Sequence, residues 1–239
     1  MALSKETKEY YDDFSNVYER HRHHGYHRML DDLEFSIVSP YVKGKRVLEA
    51  GCGTGLILKR VAKIAKSACG IDLSPGMLAH ARNRGLDCYE ADLCNIPFED
   101  ESFDTVYSFK VLPHVEQIET ALKELARVCK PGGHLVLEFY NPHSLRGIIK
   151  RLKPPSNITG NTKDSQVFTR YDSYRKILGM LPGKLELIEC KGIRIITPIA
   201  TVHKIPVLGK IFGKIEETLV DSPLKVIAGF SVIILQKTR

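Results

Sequence analysis

Between residues 46 and 139 short apolar runs alternate with segments whose apolar positions recur every three or four residues, the pattern of strands and crossover helices. The runs predict strands at Arg46–Glu49, Ala68–Asp72, a third ending at Asp92, Ser102–Phe109 and His134–Phe139 after a Pro131-Gly132-Gly133 turn. Helices are predicted between them, over Thr54–Lys66, from Ser74-Pro75 to Gly85, and over Gln117–Cys129; Ser74 is an N-cap and Pro75 suits the first helical position. Such alternation predicts a parallel, doubly wound α/β sheet with right-handed crossovers. Upstream, Tyr10, Tyr11, Phe14, Val17 and Tyr18 mark a helix from Lys5 to about His24. A second helix through Met29–Val38 should stop before Pro40, because the residue ahead of a proline avoids the helical region. The rhythm breaks after Tyr140. Residues 141–165 predict a loop with one short helix, followed by a helix at Tyr171–Met180, a long strand at Lys184–Ile196, an amphipathic helix at Pro206–Leu219 and a last strand at Val226–Gln236.

The turn after the first strand carries the most chemistry. Glu49-Ala50-Gly51-Cys52-Gly53-Thr54-Gly55 ends the apolar Val47-Leu48 and leads into a helical pattern. Glycines there bring bare backbone against a ligand, since they lack Cβ and tolerate positive φ. Dinucleotide loops use Gly-x-Gly-x-x-Gly to seat a pyrophosphate on the helix N-terminus. Here the third glycine comes one residue early and Leu56 takes the final register, so the nicotinamide fingerprint fails. Glu49 adds a carboxylate that would repel a pyrophosphate and attract a cation. Asp72 lies 21 residues after Gly51, at the end of the second strand, placed to accept from both ribose hydroxyls. Asp92 lies 20 residues further, at the end of the third, placed to accept from an adenine amino group. Three acids at successive strand ends outline a nucleoside with a cationic tail.

At these residues the chain resembles the class I S-adenosylmethionine-dependent methyltransferases, in particular the small-molecule branch that includes the ubiquinone and menaquinone C-methyltransferases. Val47–Gly55, Gly70-Ile71-Asp72-Leu73-Ser74, Ala91-Asp92-Leu93, Phe103-Asp104-Thr105-Val106 and Lys130-Pro131-Gly132-Gly133 are similar to that family's signature blocks in order and spacing, across residues 10–140. The resemblance implies a mostly parallel, seven-stranded, Rossmann-like sheet whose antiparallel last strand forms a hairpin at one edge. It implies one domain over 1–239: a helical lid (1–40), a cofactor-binding half (41–140) and an acceptor-side half (141–239).

The cofactor implied is S-adenosyl-L-methionine. Glu49 would meet its methionine ammonium, and Gly51, Cys52, Gly53 and Gly55 would form the backbone platform. Asp72 would take the ribose, Leu73 and Met77 would wall the adenine, and Asp92 would accept from its amino group. Leu93 and Ser108 belong to the flanking cofactor blocks. Tyr11 and Tyr18, seven residues apart and so on one helical face, fall in a stretch similar to the family's lid, although an aromatic stripe also suits a core. An aromatic ring near a sulfonium gains about 0.5–2 kcal/mol.

Methyl transfer from a sulfonium is an in-line displacement, in which positioning alone supplies up to about 7–11 kcal/mol. His114 matches a histidine common after the fourth strand in the resembled branch and is the candidate catalytic base. His21, His23, His24 and His27 lack the tight spacing of a zinc site, so no metal is expected. The Asn/Asp-Pro-Pro-Tyr/Phe clamp of enzymes that methylate DNA and RNA amino groups is replaced by Ser108-Phe109-Lys110-Val111, and no DNA partner is expected.

Charge changes the picture further. The net charge of +7 is uneven: residues 1–140 hold 18 Lys and Arg against 21 Asp and Glu, whereas residues 141–239 hold 17 against 7. An anionic partner of the C-terminal part is implied. Basic Arg146–Lys153, and a helix carrying Val207, Leu208, Ile211, Phe212 and Ile215 beside Lys204, Lys210 and Lys214, would suit an anionic membrane surface. A helix packed on the sheet with its lysines in water fits the same pattern. Six cysteines without a C-x-x-C pair read as buried hydrophobes in a reducing cytoplasm. Met1–Glu6 begins no apolar leader, and no run reaches the roughly 18 apolar residues of a spanning helix, so a cytoplasmic location is expected. The expected acceptor is a small hydrophobic molecule such as a quinone precursor, a phenol or a lipid-like metabolite. The rivals are RNA or a phospholipid headgroup, and a non-catalytic cofactor-binding subunit.

Overall fold

The computed structural model describes residues 8, 10–15, 18, 19, 25–144, 157–159, 162, 163, 168–197, 202, 203 and 205–238. His21, His23, His24, Arg146–Lys153 and Lys204 lie outside them. After a helical stretch at 10–15, helix α1 (Gly25–Val42) leads into β1 (Arg46–Ala50), α2 (Leu56–Val61), β2 (Ser67–Asp72), α3 (Pro75–Asn83) and β3 (Asp87–Glu90). Then come β4 (Phe103–Ser108), α4 (Ile118–Val128) and β5 (Cys129–Tyr140). A two-stranded ribbon, β6 (Asn157–Thr159) and β7 (Thr162–Lys163), precedes α5 (Tyr174–Met180), β8 (Leu185–Ile193), α6 (Pro206–Leu219) and β9 (Phe230–Lys237).

The seven-stranded sheet has the order β3-β2-β1-β4-β5-β9-β8. Pairing is parallel from β3 through β5, and β9 runs antiparallel to both β5 and β8. Because β2 and β4 leave β1 in opposite directions, a crevice opens at the carboxyl ends between them. Alternation along the strands supplies both faces of the sheet. Leu48, Val106, Leu135 and Leu137 pack with Leu122 and Leu125 of α4 and Ile177 of α5. Val47, Tyr107, Val136 and Ile234 meet Leu33 and Ile37 of α1 and Ile57 and Val61 of α2. Each such aliphatic chain withdrawn from water contributes about 1.5–3 kcal/mol, which fixes the register and hence the strand ends.

Several elements depart from the sequence expectation for local reasons. Helix α1 runs through Pro40. The proline removes the N–H that would reach the Ser36 carbonyl, and the Ser39 hydroxyl donates to that carbonyl at 3.2 Å. Helix α2 is shorter than Thr54–Lys66, because Ile64 N and Ala65 N both turn to the Val61 carbonyl. The Pro131-Gly132-Gly133 turn is a bulge inside β5. Phe103 pairs with Cys129 but Thr105 with His134, and Gly132 at φ 77° brings the chain back to the ladder. The last strand starts at Phe230, not Val226, after a 3-10 turn at Pro223–Ile227.

Candidate functional site

The ends of β1, β2 and β4 surround a cavity of about 360 Å³. Glu49, Gly51, Cys52, Gly53, Asp72, Leu73, Met77, Asp92, Leu93 and His114 line it, as do Tyr11 and Tyr18 of the N-terminal segment. Gly55 and Ser108 lie outside its wall. Gly55, at φ 79°, is the N-cap of α2, and the buried Ser108 hydroxyl donates to the Ala50 carbonyl at 2.7 Å, tying β4 to β1.

The glycine loop is shaped by its backbone. Gly51 N and Cys52 N both donate to the Ile71 carbonyl, at 2.7 and 2.9 Å, which folds the chain sharply over the end of β2. Gly51 sits at φ 80°, and a Cβ there would stand 2.2 Å from Val111 Cγ2. Gly53 lines the cavity and has no protein atom within 4 Å of where a Cβ would stand, so its backbone is open to a ligand. Asp72 Oδ2 accepts from Gly53 N at 2.8 Å and Oδ1 from Ser74 N at 3.0 Å. Burial pushes this carboxyl above its ordinary range, and the backbone donors partly offset that.

Glu49 is 4% exposed, and its Oε2 accepts from the Tyr107 hydroxyl at 2.9 Å. Burial holds it well above the ordinary glutamate range; the Tyr107 bond opposes this and the Glu34 charge reinforces it. Asp92 is not a strand residue. It stands in the turn after β3, where its Oδ1 accepts from Cys94 N at 2.8 Å and its carbonyl from Asn95 N. Met77 and Leu93 are buried as well as lining the cavity.

His114 ends a 3-10 turn, Leu112–His114, with Nδ1 2.9 Å from the Phe168 carbonyl. A carbonyl only accepts, so Nδ1 carries a proton. The Tyr140 hydroxyl is 3.5 Å from Nε2, and the Tyr11 ring lies 6.4 Å from the imidazole. Burial raises the Tyr11 phenol well above its usual range.

Sequence reasoning missed two groups. Asp12 Oδ1 accepts from Ser74 Oγ and, at 2.9 Å, from Gly76 N, fastening the N-terminal segment to the start of α3. Arg84 reaches both Glu19 and the Thr54 carbonyl, tying that segment to the glycine loop. The second group is a wall built from α1. Lys110, at φ 61°, places Nζ 3.0 Å from Asp31 Oδ1 and 2.8 Å from Glu34 Oε1, and all three residues line the cavity. Two acids three apart on the apolar face of α1, beside Met29, Leu30 and Leu33, were the available signal. Of the N-terminal histidines, His27 is described, its ring 5.3 Å from Tyr26. Among the described residues no cluster of metal-ligating side chains occurs, and no helix is long and apolar enough to cross a membrane.

Residues 48–137 match the methyltransferase domain family. A malonyl-[acyl-carrier protein] O-methyltransferase of Erwinia pyrifoliae is 40% identical over 105 residues, 43% of this chain and 40% of that protein. A demethylmenaquinone methyltransferase of Tropheryma whipplei is 40% identical over 107 residues, 41% of this chain and 44% of that protein. The chain thus spans less than half the length of these relatives. A solved structure from Thermotoga maritima, described as an S-adenosylmethionine-dependent methyltransferase and possible histamine N-methyltransferase, superimposes with a TM-score of 0.69 at 22% identity. The likeness covers 97% of this chain and 99% of that one, and it establishes the fold.

Proposed function

We propose that this chain, which belongs to the class I S-adenosylmethionine-dependent methyltransferases, methylates a small hydrophobic acceptor such as a quinone precursor, a phenol or a lipid-like metabolite. One observation carries the reading: Glu49, Asp72 and Asp92 line a single cavity that Tyr11 and Tyr18 also border. Its volume falls within the roughly 300–1,000 Å³ of small-molecule sites. The open backbone at Gly53 and the buried carboxylates at Glu49 and Asp72 fit a nucleoside that bears positive charge. When bound, the cofactor supplies an electrophilic methyl group.

The chain's own residues would then bind and orient. Glu49 faces the ammonium, Asp72 the ribose and Asp92 the adenine amino group, with Leu73, Met77 and Leu93 as apolar walls. Tyr11 and Tyr18 close over the site and exclude water. His114, protonated at Nδ1, is the proposed base, its Nε2 exchanging the Tyr140 hydroxyl contact at 3.5 Å for a proton from an acceptor hydroxyl. The domain is proposed to be one unit, with residues 141–239 completing the acceptor side. The demethylmenaquinone relative supports this acceptor class.

Calorimetric titration with S-adenosylmethionine and S-adenosylhomocysteine tests the donor half, and silence with both would refute it. A panel of hydroquinones, phenols and long-chain acids, read by S-adenosylhomocysteine release, tests the acceptor half. Turnover confined to RNA, with a steep loss at higher salt, would overturn the small-molecule reading.

A further inference from the structure

Helix α6 is inside out. Its inward side carries Glu216, 0% exposed, whose carboxylate accepts from the backbone N–H groups of Ile195, Ile196 and Thr197 and from the Thr197 hydroxyl, at distances between 2.7 and 3.0 Å. On the same side Gly209 lets the helix approach His203, where an added Cβ would meet that backbone carbonyl at 3.2 Å. Its outward side carries Val207, Leu208, Ile211 and Ile215, exposed by 67, 40, 49 and 40%. Spacings of four residues set them in one stripe, with exposed Lys210 and Lys214 alongside. A helix covering a core and facing water places these classes the other way round. The clustering is not diffuse either. Of the thirteen exposed large hydrophobic residues among those described, eight fall between 205 and 227.

We propose that α6 is a docking helix for an anionic lipid surface, lying in the interface with its aliphatic stripe among the headgroups and Lys210 and Lys214 on phosphates. Three observations select that occupant. The segment from residue 141 onward holds 17 Lys and Arg against 7 Asp and Glu, which complements an anionic bilayer. Glu217 is exposed on the helix, but the neighbouring Asp221 is already paired with Lys191 at 2.7 Å. The stripe is also one helix face wide, far short of the roughly 20–30 residues a side of a stable protein interface, yet sufficient for an in-plane amphipathic helix. Finally, α6 packs on α1, whose Asp31 and Glu34 line the cavity, so a docked α6 brings the cavity within one helix layer of the lipid. This placement would supply a lipid-like acceptor, but the docking itself requires neither cofactor nor turnover.

The test is sedimentation of the whole chain with vesicles of phosphatidylcholine alone and with vesicles in which a third of the lipid is phosphatidylglycerol, with no cofactor present. The protein should partition onto the anionic vesicles and leave them as salt rises. Since each lysine at such a surface is worth about fivefold, Lys210→Glu with Lys214→Glu should weaken partitioning by about twenty-five-fold or more. Ile211→Ser with Ile215→Ser should weaken it too, and because both side chains are only partly exposed, circular dichroism checks that the fold is kept. Should the double variants fail to fold, Lys210→Gln alone, at an exposed position, gives the readout, with a loss of about fivefold expected and no loss overturning the proposal. Equal partitioning onto neutral and anionic vesicles, or none onto either, would overturn the proposal. So would a dimer in sedimentation equilibrium that Ile211→Ser dissociates, since a second copy would then own the stripe.

Discussion

Glu49 should couple cofactor affinity to pH, and the sign of that coupling follows from where it sits. In the ligand-free protein burial favours its neutral form, the Glu34 charge adds to this, and the single Tyr107 hydroxyl offsets only part of it. A cationic ammonium beside it would favour the carboxylate. Binding should therefore release a proton at pH values between the pKa of the complex and the raised ligand-free pKa, and affinity for S-adenosylmethionine should climb by up to about tenfold per pH unit across that range. Glu49→Gln keeps the shape and can still accept from Tyr107 through its amide oxygen, but it cannot ionise. It should flatten the pH dependence and, where the carboxylate is charged in the unaltered protein, weaken binding by about 1.5–3 kcal/mol, roughly tenfold to a hundredfold. Calorimetry from mildly acidic to mildly alkaline pH, in buffers of different ionisation enthalpy, counts the protons released. The same residue bears on stability. The folded protein holds this proton more tightly than the unfolded chain, so its contribution is complete below the unfolded glutamate pKa and is lost as pH rises through the folded value. The ligand-free melting temperature should fall over that window in the unaltered protein and not in Glu49→Gln. No proton release on binding, together with an identical pH slope in Glu49→Gln, would refute the reasoning.

Asp72→Ala removes a buried acceptor and leaves Gly53 N and Ser74 N without it, so cofactor affinity should drop at least about tenfold by calorimetry; unchanged affinity would count against the ribose assignment. Gly51→Ala puts a Cβ 2.2 Å from Val111 Cγ2 at φ 80°, and a loss of about 1–3 kcal/mol from backbone strain alone should appear in chemical denaturation. An unaltered midpoint would show that the loop relaxes freely. Glu216→Ala leaves the N–H groups of Ile195, Ile196 and Thr197, two of them buried, without their acceptor and should cost about 3 kcal/mol, with Glu216→Gln recovering part of it.

The cofactor side was legible because its signals are local. Glycines at positive φ, an N-cap at Ser74 and acids at strand ends each declare themselves within a few residues, and Ser74 Oγ does accept from Met77 N at 3.1 Å. Asp92 shows where local reading slips: the strand ends at Glu90, and the aspartate reaches the cavity from a turn that its own carboxylate braces. Pro40 shows another limit, since a neighbouring hydroxyl can satisfy the carbonyl that proline leaves and let the helix run on. What stayed hidden depends on distant partners. Nothing near Asp12 announces that it caps Ser74 and Gly76 sixty residues away, and nothing near Lys110 announces α1. The order of elements over residues 185–237 is legible in the chain, yet amphipathicity does not say which side of α6 faces inward; the Glu216 clamp decides that, and it is tertiary.

Lys110 explains how so acidic a cavity can be tolerated. Asp31, Glu34, Glu49, Asp72, Asp92 and Glu116 line it against one lysine, and like charges brought together in a buried space repel strongly unless some are neutralised. Backbone donors satisfy Asp72, and burial raises the Glu49 carboxyl well above its ordinary range. The α1 pair instead receives an ammonium, and a lysine at φ 61° is the cost of aiming it there. Of these acids Glu49 is the one whose charge the site opposes most directly, through burial and the nearby Glu34. A cation is the ligand that favours the ionised carboxyl there, which is why the choice of a positively charged cofactor is written in the burial of Glu49 as much as in the glycine loop beside it.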